Sequence, residues 1–267
     1  DMVAESVASD NELDVAAEEE SGMNQTSAED LVSPLNSSEY GSLTKADAGD
    51  FDASIGHVIS TAWQNVAGNK GLVWGGFALY LLAIIMMSIV LGFLFDSTAD
   101  NMESGAFVGI ITQLVPTLVM LPIYVGLILV CVKVVSGVEV SAVSVFNYFP
   151  KTLNLALTYL LMGLMIILGL MLFIIPGIYL MVAYSLALVL VVDKDLGPWE
   201  ALETSRKAIH KCWFSVLGLW VLLGLILVVA MIPMGIGLIW ALPLTMLCVG
   251  VLYRNIFGLS EQSIDHE

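Results

Sequence analysis

The chain has 267 residues, of which 58% are hydrophobic and only 13% are charged. A soluble domain carries nearer 25% charged residues, so an ordinary globular enzyme is excluded. The net charge of −16 comes from 25 acidic and 9 basic residues, which excludes nucleic acid as a partner, because phosphate binding needs a basic surface.

Residues 1–52 hold 14 of the 25 acidic residues, with Lys45 as the one basic residue and Tyr40 and Phe51 as the only aromatics. So little apolar surface cannot offset the entropy of ordering, and the segment is predicted to be a disordered acidic tail. Residues 53–258 read as a membrane domain, and 259–267 as a short cytoplasmic tail. Four stretches carry no charge: 71–95, 104–132, 152–192 and 212–253. A helix rises about 1.5 Å per residue, so the last two would each reach roughly 60 Å, twice the bilayer core. Each must therefore cross twice, turning at Pro176-Gly177 and at Pro233-Met234-Gly235. Six spans follow, near 72–95, 106–132, 153–174, 178–192, 213–231 and 237–253, paired as three hairpins. With this count all 9 basic residues fall on one face and the three opposite turns hold none. The positive-inside rule then places both termini in the cytoplasm.

Each hairpin is preceded by a segment with aromatic and polar residues. In 55–69, Ile55, Val58, Ile59, Ala62, Trp63 and Val66 recur at helical spacing. In 198–211, Pro198 suits a first helical turn, and Glu203 lies four residues before Lys207. In 141–150, Ala142, Val145, Phe146 and Phe149 share a face. All three are predicted to be helices in the inner-leaflet interface, where aromatic side chains prefer to sit. The expected fold is all-α: six transmembrane helices as three hairpins, each led by an interfacial helix.

Several runs resemble a known family. They are Ile175-Pro176-Gly177-Ile178-Tyr179, Val192-Asp193-Lys194-Asp195, Gly197-Pro198-Trp199-Glu200-Ala201-Leu202 with Ser205-Arg206-Lys207, and Leu252-Tyr253-Arg254-Asn255-Ile256-Phe257-Gly258. In this order they look like the bacterial six-span proteins of unknown function related to the membrane domain of some glycerophosphodiester phosphodiesterases. The likeness covers residues 55–258 and implies a multi-pass protein of the bacterial inner membrane. It implies no activity, and no phosphodiesterase barrel is encoded within the chain.

The residues suggest no catalytic centre. Cys131, Cys212 and Cys248 lack metal-ligand spacing, and His57, His210 and His266 lie in different segments, so neither metal nor cofactor is expected. His57 and His210 hold similar places in two repeats, as solvated groups or as one shared site. No predicted span contains an ionisable acid or base, which argues against an ion-coupled carrier. Interior polar groups are Thr112, Gln113, Thr117, Thr158, Ser185 and Thr245. Gln113 and Thr117 lie one turn apart beside Pro116, either as a polar lining for a small ligand or as helix-to-helix hydrogen bonds. Arg206, Lys207 and Lys211 either touch lipid headgroups or anchor the topology. Gly71 with Gly75 and Gly105 with Gly109 have the spacing of close helix contacts. The leading expectation is a non-catalytic accessory or scaffold protein in envelope or lipid homeostasis, with membrane lipids around it. A protein partner would dock on the acidic tail or the interfacial helices. The rival is a passive conduit or lipid-handling transporter. A polar cavity reaching Gln113 and Thr117 favours the rival, and a dry packed core favours the scaffold.

Overall fold

The computed structural model describes residues 40–95, 102–260 and 263. Among these residues it is all-helical, and six helices are long and apolar enough to cross a membrane. A backbone in hydrocarbon must satisfy its own polar groups, which a helix does internally, so long apolar runs fold this way.

The described chain starts with a short helix, α1 (Leu43–Ala48). The Ser42 hydroxyl accepts the Lys45 N–H at 3.2 Å, and Gly49 closes the helix at φ 82°. This region differs from the expected disordered tail to residue 52. Its apolar content is small, but it is ordered by packing beneath the end of the last helix, where Gly41 N–H donates to the Arg254 carbonyl at 3.2 Å. The acidic stretch 1–39 lies outside the described residues.

α2 (Ile55–Phe95) is one helix of 41 residues, about 60 Å long. An interfacial helix and a separate span were expected here. The helix continues because its polar residues bond back into it: Asn65 Nδ2 donates to the Thr61 carbonyl at 2.9 Å, and Asn69 Nδ2 to that of Asn65 at 3.2 Å. The first half lies antiparallel to α9 (Leu238–Phe257). His57 faces Asn255, Lys70 sits 5.3 Å from the Trp240 ring, and Trp74 Nε1 donates to the Ile239 carbonyl at 3.1 Å. The second half faces α3 (Met102–Val135), with the Tyr80 and Tyr124 rings 6.2 Å apart. α3 runs unbroken through Pro116 and Pro122.

α3 and α9 form the centre and are mostly buried, whereas α2 and α8 (Trp213–Met231) present apolar side chains outward. Close approach at the centre depends on Gly250. A Cβ there would lie 2.9 Å from the Cys131 carbonyl carbon, and one at Gly126 would lie 2.8 Å from the Val145 Cα. These glycines set the tight contacts; a Cβ at Gly71 or Gly109 would meet nothing within 4 Å. Gly250→Ala is expected to cost about 1–3 kcal/mol by overpacking. Reversible unfolding in detergent checks this, with Gly71→Ala as the neutral comparison.

Between α3 and the next long helix, residues 141–150 form two 3-10 turns, Ala142–Phe146 and Phe149–Lys151, instead of an interfacial α-helix. α4 (Thr152–Leu172) then returns through α5 (Ile174–Ala183) and α6 (Ala187–Asp193). The fourth predicted span is thus broken at residues 184–186. In an unbroken helix Ala187 N–H would bond to the Ala183 carbonyl. Here the Ser205 hydroxyl takes that carbonyl at 2.7 Å, and Ala187 N–H bonds to Tyr184 instead. A side chain inserted into the backbone ladder is a recognised cause of a kink. Ser205 belongs to α7 (Pro198–Lys211), whose apolar face buries Ala201, Leu202, Ala208 and Ile209.

The turns at the far ends of these helices are apolar and uncovered. Phe173 is 70% exposed, Ile175 80% and Met234 96%. The second turn satisfies most of its own backbone: the N–H groups of Ile232, Met234, Gly235, Ile236 and Leu238 all donate within residues 229–238.

Candidate functional site

Where α2, α3, α4, the α5–α6 break and α8 meet, they leave a partly open cavity of about 730 Å³. Ligand sites typically occupy about 300–1,000 Å³, so this one is of ligand size. Its polar wall is contributed helix by helix. α2 brings Tyr80 and Ser88; α3 brings Thr112, Gln113, Thr117 and Tyr124; and α4 brings Tyr159. Tyr184 and Ser185 come from the α5–α6 break, and Trp220 comes from α8. The remaining wall is aliphatic or thioether, including Ile84, Met162, Ile166 and Leu188.

Four of the six interior polar residues singled out in the sequence line this cavity: Thr112, Gln113, Thr117 and Ser185. Thr158 and Thr245 do not; their hydroxyls donate to the carbonyls of Asn154 and Ala241, four residues back, at 2.7 and 2.8 Å. The Thr117 hydroxyl donates to the Gln113 carbonyl at 2.8 Å, and the Ser88 hydroxyl to that of Ile84 at 2.8 Å. Both remain able to accept. By contrast Ser185 Oγ and Trp220 Nε1 are buried without a hydrogen-bond partner among the described residues. Sequence reasoning passed over the tyrosines and Trp220. Their signal was position: Tyr80, Tyr159 and Tyr184 fall inside predicted spans, away from the interfacial belts that such residues prefer.

The basic cluster is distributed among separate partners. Arg206 forms a two-pronged pair with Glu203 at 2.7 and 2.8 Å, and Lys207 reaches the same carboxylate at 3.7 Å. Lys211 turns to α1 and donates to the carbonyls of Ala46, at 3.2 Å, and Asp47. The hydrogen bond from Arg206 holds the Glu203 carboxyl below its ordinary pKa, and the same pair raises that of Arg206. A carboxyl with a depressed folded-state pKa stabilises above the unfolded value and loses that effect as pH falls through the folded one. The Glu203 pair is therefore expected to weaken below about pH 4.3. In thermal melts, wild type and Glu203→Gln should differ at pH 7, and the difference should shrink as pH falls below about 4.3.

No family model, curated protein or solved structure matches the chain.

A second polar centre joins the motif residues that sequence reasoning had treated separately. Asp193, at the end of α6, has a fully buried side chain. Its Oδ2 accepts the Tyr253 hydroxyl at 2.7 Å and pairs with Lys194 at 3.4 Å. Its Oδ1 accepts Ser263 Oγ at 2.6 Å and Ser260 N–H at 3.2 Å, and the Ser260 hydroxyl takes the Asp193 carbonyl at 2.6 Å. The next residue of α9, Arg254, donates to the Val135 carbonyl and lies 4.6 Å from the Tyr40 ring. The ends of α3, α6 and α9 are thereby tied to residues 40–41, 258–260 and 263. Its hydrogen-bond partners are all supplied from within the fold, so this centre is a clasp.

The two described histidines have different partners, and His266 lies outside the described residues. His57 Nδ1 lies 3.5 Å from Asp52 Oδ2 and 3.4 Å from Asn255 Nδ2, whereas His210 Nδ1 lies 2.9 Å from the Tyr179 hydroxyl. Backbone and side-chain hydrogen bonds from Ser54 hold the Asp52 carboxyl low, with a smaller contribution from His57.

Proposed function

We propose that this is a non-catalytic multi-pass membrane protein that holds a lipid or comparable amphiphile in the cavity beside Gln113 and Thr117, as the binding step of lipid handling. One observation carries this reading: a ligand-sized space with a mixed polar and apolar wall, inside a bundle whose outer face is apolar. A scaffold alone requires no such space. Orientation belongs to the same reading. Three hairpins with both termini in the cytoplasm follow from the grouping of basic residues. The motif likeness to the bacterial six-span family favours the inner membrane.

Filling the cavity tests the reading. Thr117→Trp and Ser88→Phe place bulk into the wall from different helices. Protein purified in mild detergent should carry lipid detectable by native mass spectrometry, and both variants should lose it while keeping wild-type helicity. Equal lipid retention in folded variants removes the cavity as the binding site.

Scaffolding on the cytoplasmic face is a second reading, favoured by α1, which packs against both α7 and α9. It predicts a protein partner whose capture depends on Lys211 and α1 and is unaffected by cavity filling.

A further inference from the structure

We infer that the groove between α2, α8 and α9 holds an anionic phospholipid, with one acyl chain lying along Trp63 and the phosphate at Lys70. The inference does not rest on the cavity reading above, since among the described residues the two spaces share no lining side chain.

Shape fixes the apolar end. The groove encloses about 490 Å³, with Trp63 from α2, Leu225 and Val229 from α8, and Trp240 and Leu244 from α9 in its wall. Trp63, Leu225, Val229 and Trp240 are exposed, so this wall belongs to the outward face of the bundle. Close approach of α8 and α9 makes the floor: a Cβ at Gly237 would lie 2.8 Å from the Ala230 Cα, and both residues line the groove. A hydrocarbon chain that fills such a recess gains dispersion contacts along its whole length.

Charge fixes the polar end. Trp63 and Lys70 are two helical turns apart, so they share a face of α2 and stand about 10 Å from one another along its axis. The Lys70 ammonium lies 5.3 Å from the centroid of the Trp240 ring, which puts a positive charge on the groove's rim. Trp74 Nε1 donates to the Ile239 carbonyl at 3.1 Å beside it. Two indoles at one level mark a headgroup boundary. α9 has 20 residues, about 30 Å, so this level lies one bilayer core away from the Asn255 end that His57 meets. Sequence pattern alone groups Lys70 with Lys194 and Arg254 of the clasp end; its contacts place it at the other. A basic side chain at the surface favours anionic lipid by about 1 kcal/mol. A zwitterionic headgroup would bring its own cation towards Lys70, and like charges repel. The Trp240 face that could take that second cation already holds Lys70.

The test uses the full chain in nanodiscs and two probes with the same photoactivatable acyl chains, a phosphatidylglycerol and a phosphatidylcholine. Labelled peptides are mapped by mass spectrometry. The phosphatidylglycerol probe should label peptides carrying Trp63, Val229 and Leu244 about fivefold more than the other probe. Lys70→Gln should remove that preference, and Lys70→Arg should keep it. Val229→Trp, which fills the groove from the exposed side of α8, should abolish labelling there, and Thr117→Trp should leave it unchanged. Equal labelling by both probes overturns the anionic class. A preference that survives Lys70→Gln overturns Lys70 as the phosphate contact. Labelling lost in Thr117→Trp and kept in Val229→Trp assigns the probe to the central cavity and overturns the groove. A groove left unlabelled in a protein that native mass spectrometry shows to be dimeric makes this face a contact between copies and overturns the lipid.

Discussion

Asp193→Ala should destabilise the protein by about 3–5 kcal/mol, the range for removing one partner from a buried charged network. Three donors converge on this carboxylate, the Tyr253 and Ser263 hydroxyls and the Ser260 N–H, while the Ser260 hydroxyl takes the Asp193 carbonyl at 2.6 Å. Truncation strands those donors and leaves Lys194 beside a cavity. The Tyr253→Phe variant removes one donor and keeps the acceptor occupied by the others, so about 1 kcal/mol is expected. Unfolding in mixed micelles measures both. Because the network also ties down Ser260 and Ser263, Asp193→Ala should expose the C-terminal segment to protease, and Tyr253→Phe should not. A loss below 1 kcal/mol for Asp193→Ala would show that the clasp is incidental to stability.

Met234→Arg and Phe173→Arg should each weaken membrane integration measurably. Both side chains sit at apolar turns that no other part of the described chain covers. Ordinary water-exposed turns are polar, because loops must hydrogen bond with solvent. These turns offer solvent almost nothing, and the second keeps its backbone donors occupied internally. Such a surface belongs at the edge of the hydrocarbon, where an arginine can snorkel to the headgroups and costs less than the about 2.5–3.5 kcal/mol it costs at a helix centre. Integration of each variant, scored by carbonate extraction against Asp195→Arg at the other end of the α5–α6 span, should fall by up to about tenfold in the equilibrium ratio. Full integration of both arginine variants would place the turns in water.

Legibility varied along the chain for definite reasons. α7 and α8 fall at 198–211 and 213–231 as expected, because Pro198 opens the first and a long charge-free run begins at Cys212. Those signals are local and survive any packing. The α5–α6 break was illegible, since residues 184–186 contain neither Gly nor Pro; its cause is Ser205, about twenty residues away in the chain. Continuity of α2 was also missed. Gly68, Asn69, Lys70 and Gly71 look like a boundary, yet contacts with α9 and α3 on either side hold the helix through them. Gln113 and Thr117 were found because a polar pair stands out against an apolar run. The tyrosines were missed because their type fits both a core and an interface.

Composition by itself determined that the chain is helical and able to enter a membrane, because charge-free stretches of this length can satisfy their backbone only as helices. Which residues share a cavity, and which helix is interrupted by another's side chain, was decided by tertiary structure. Those depend on where helices distant in sequence cross and on which side chain interrupts another helix's hydrogen bonds, and neither is encoded in local pattern.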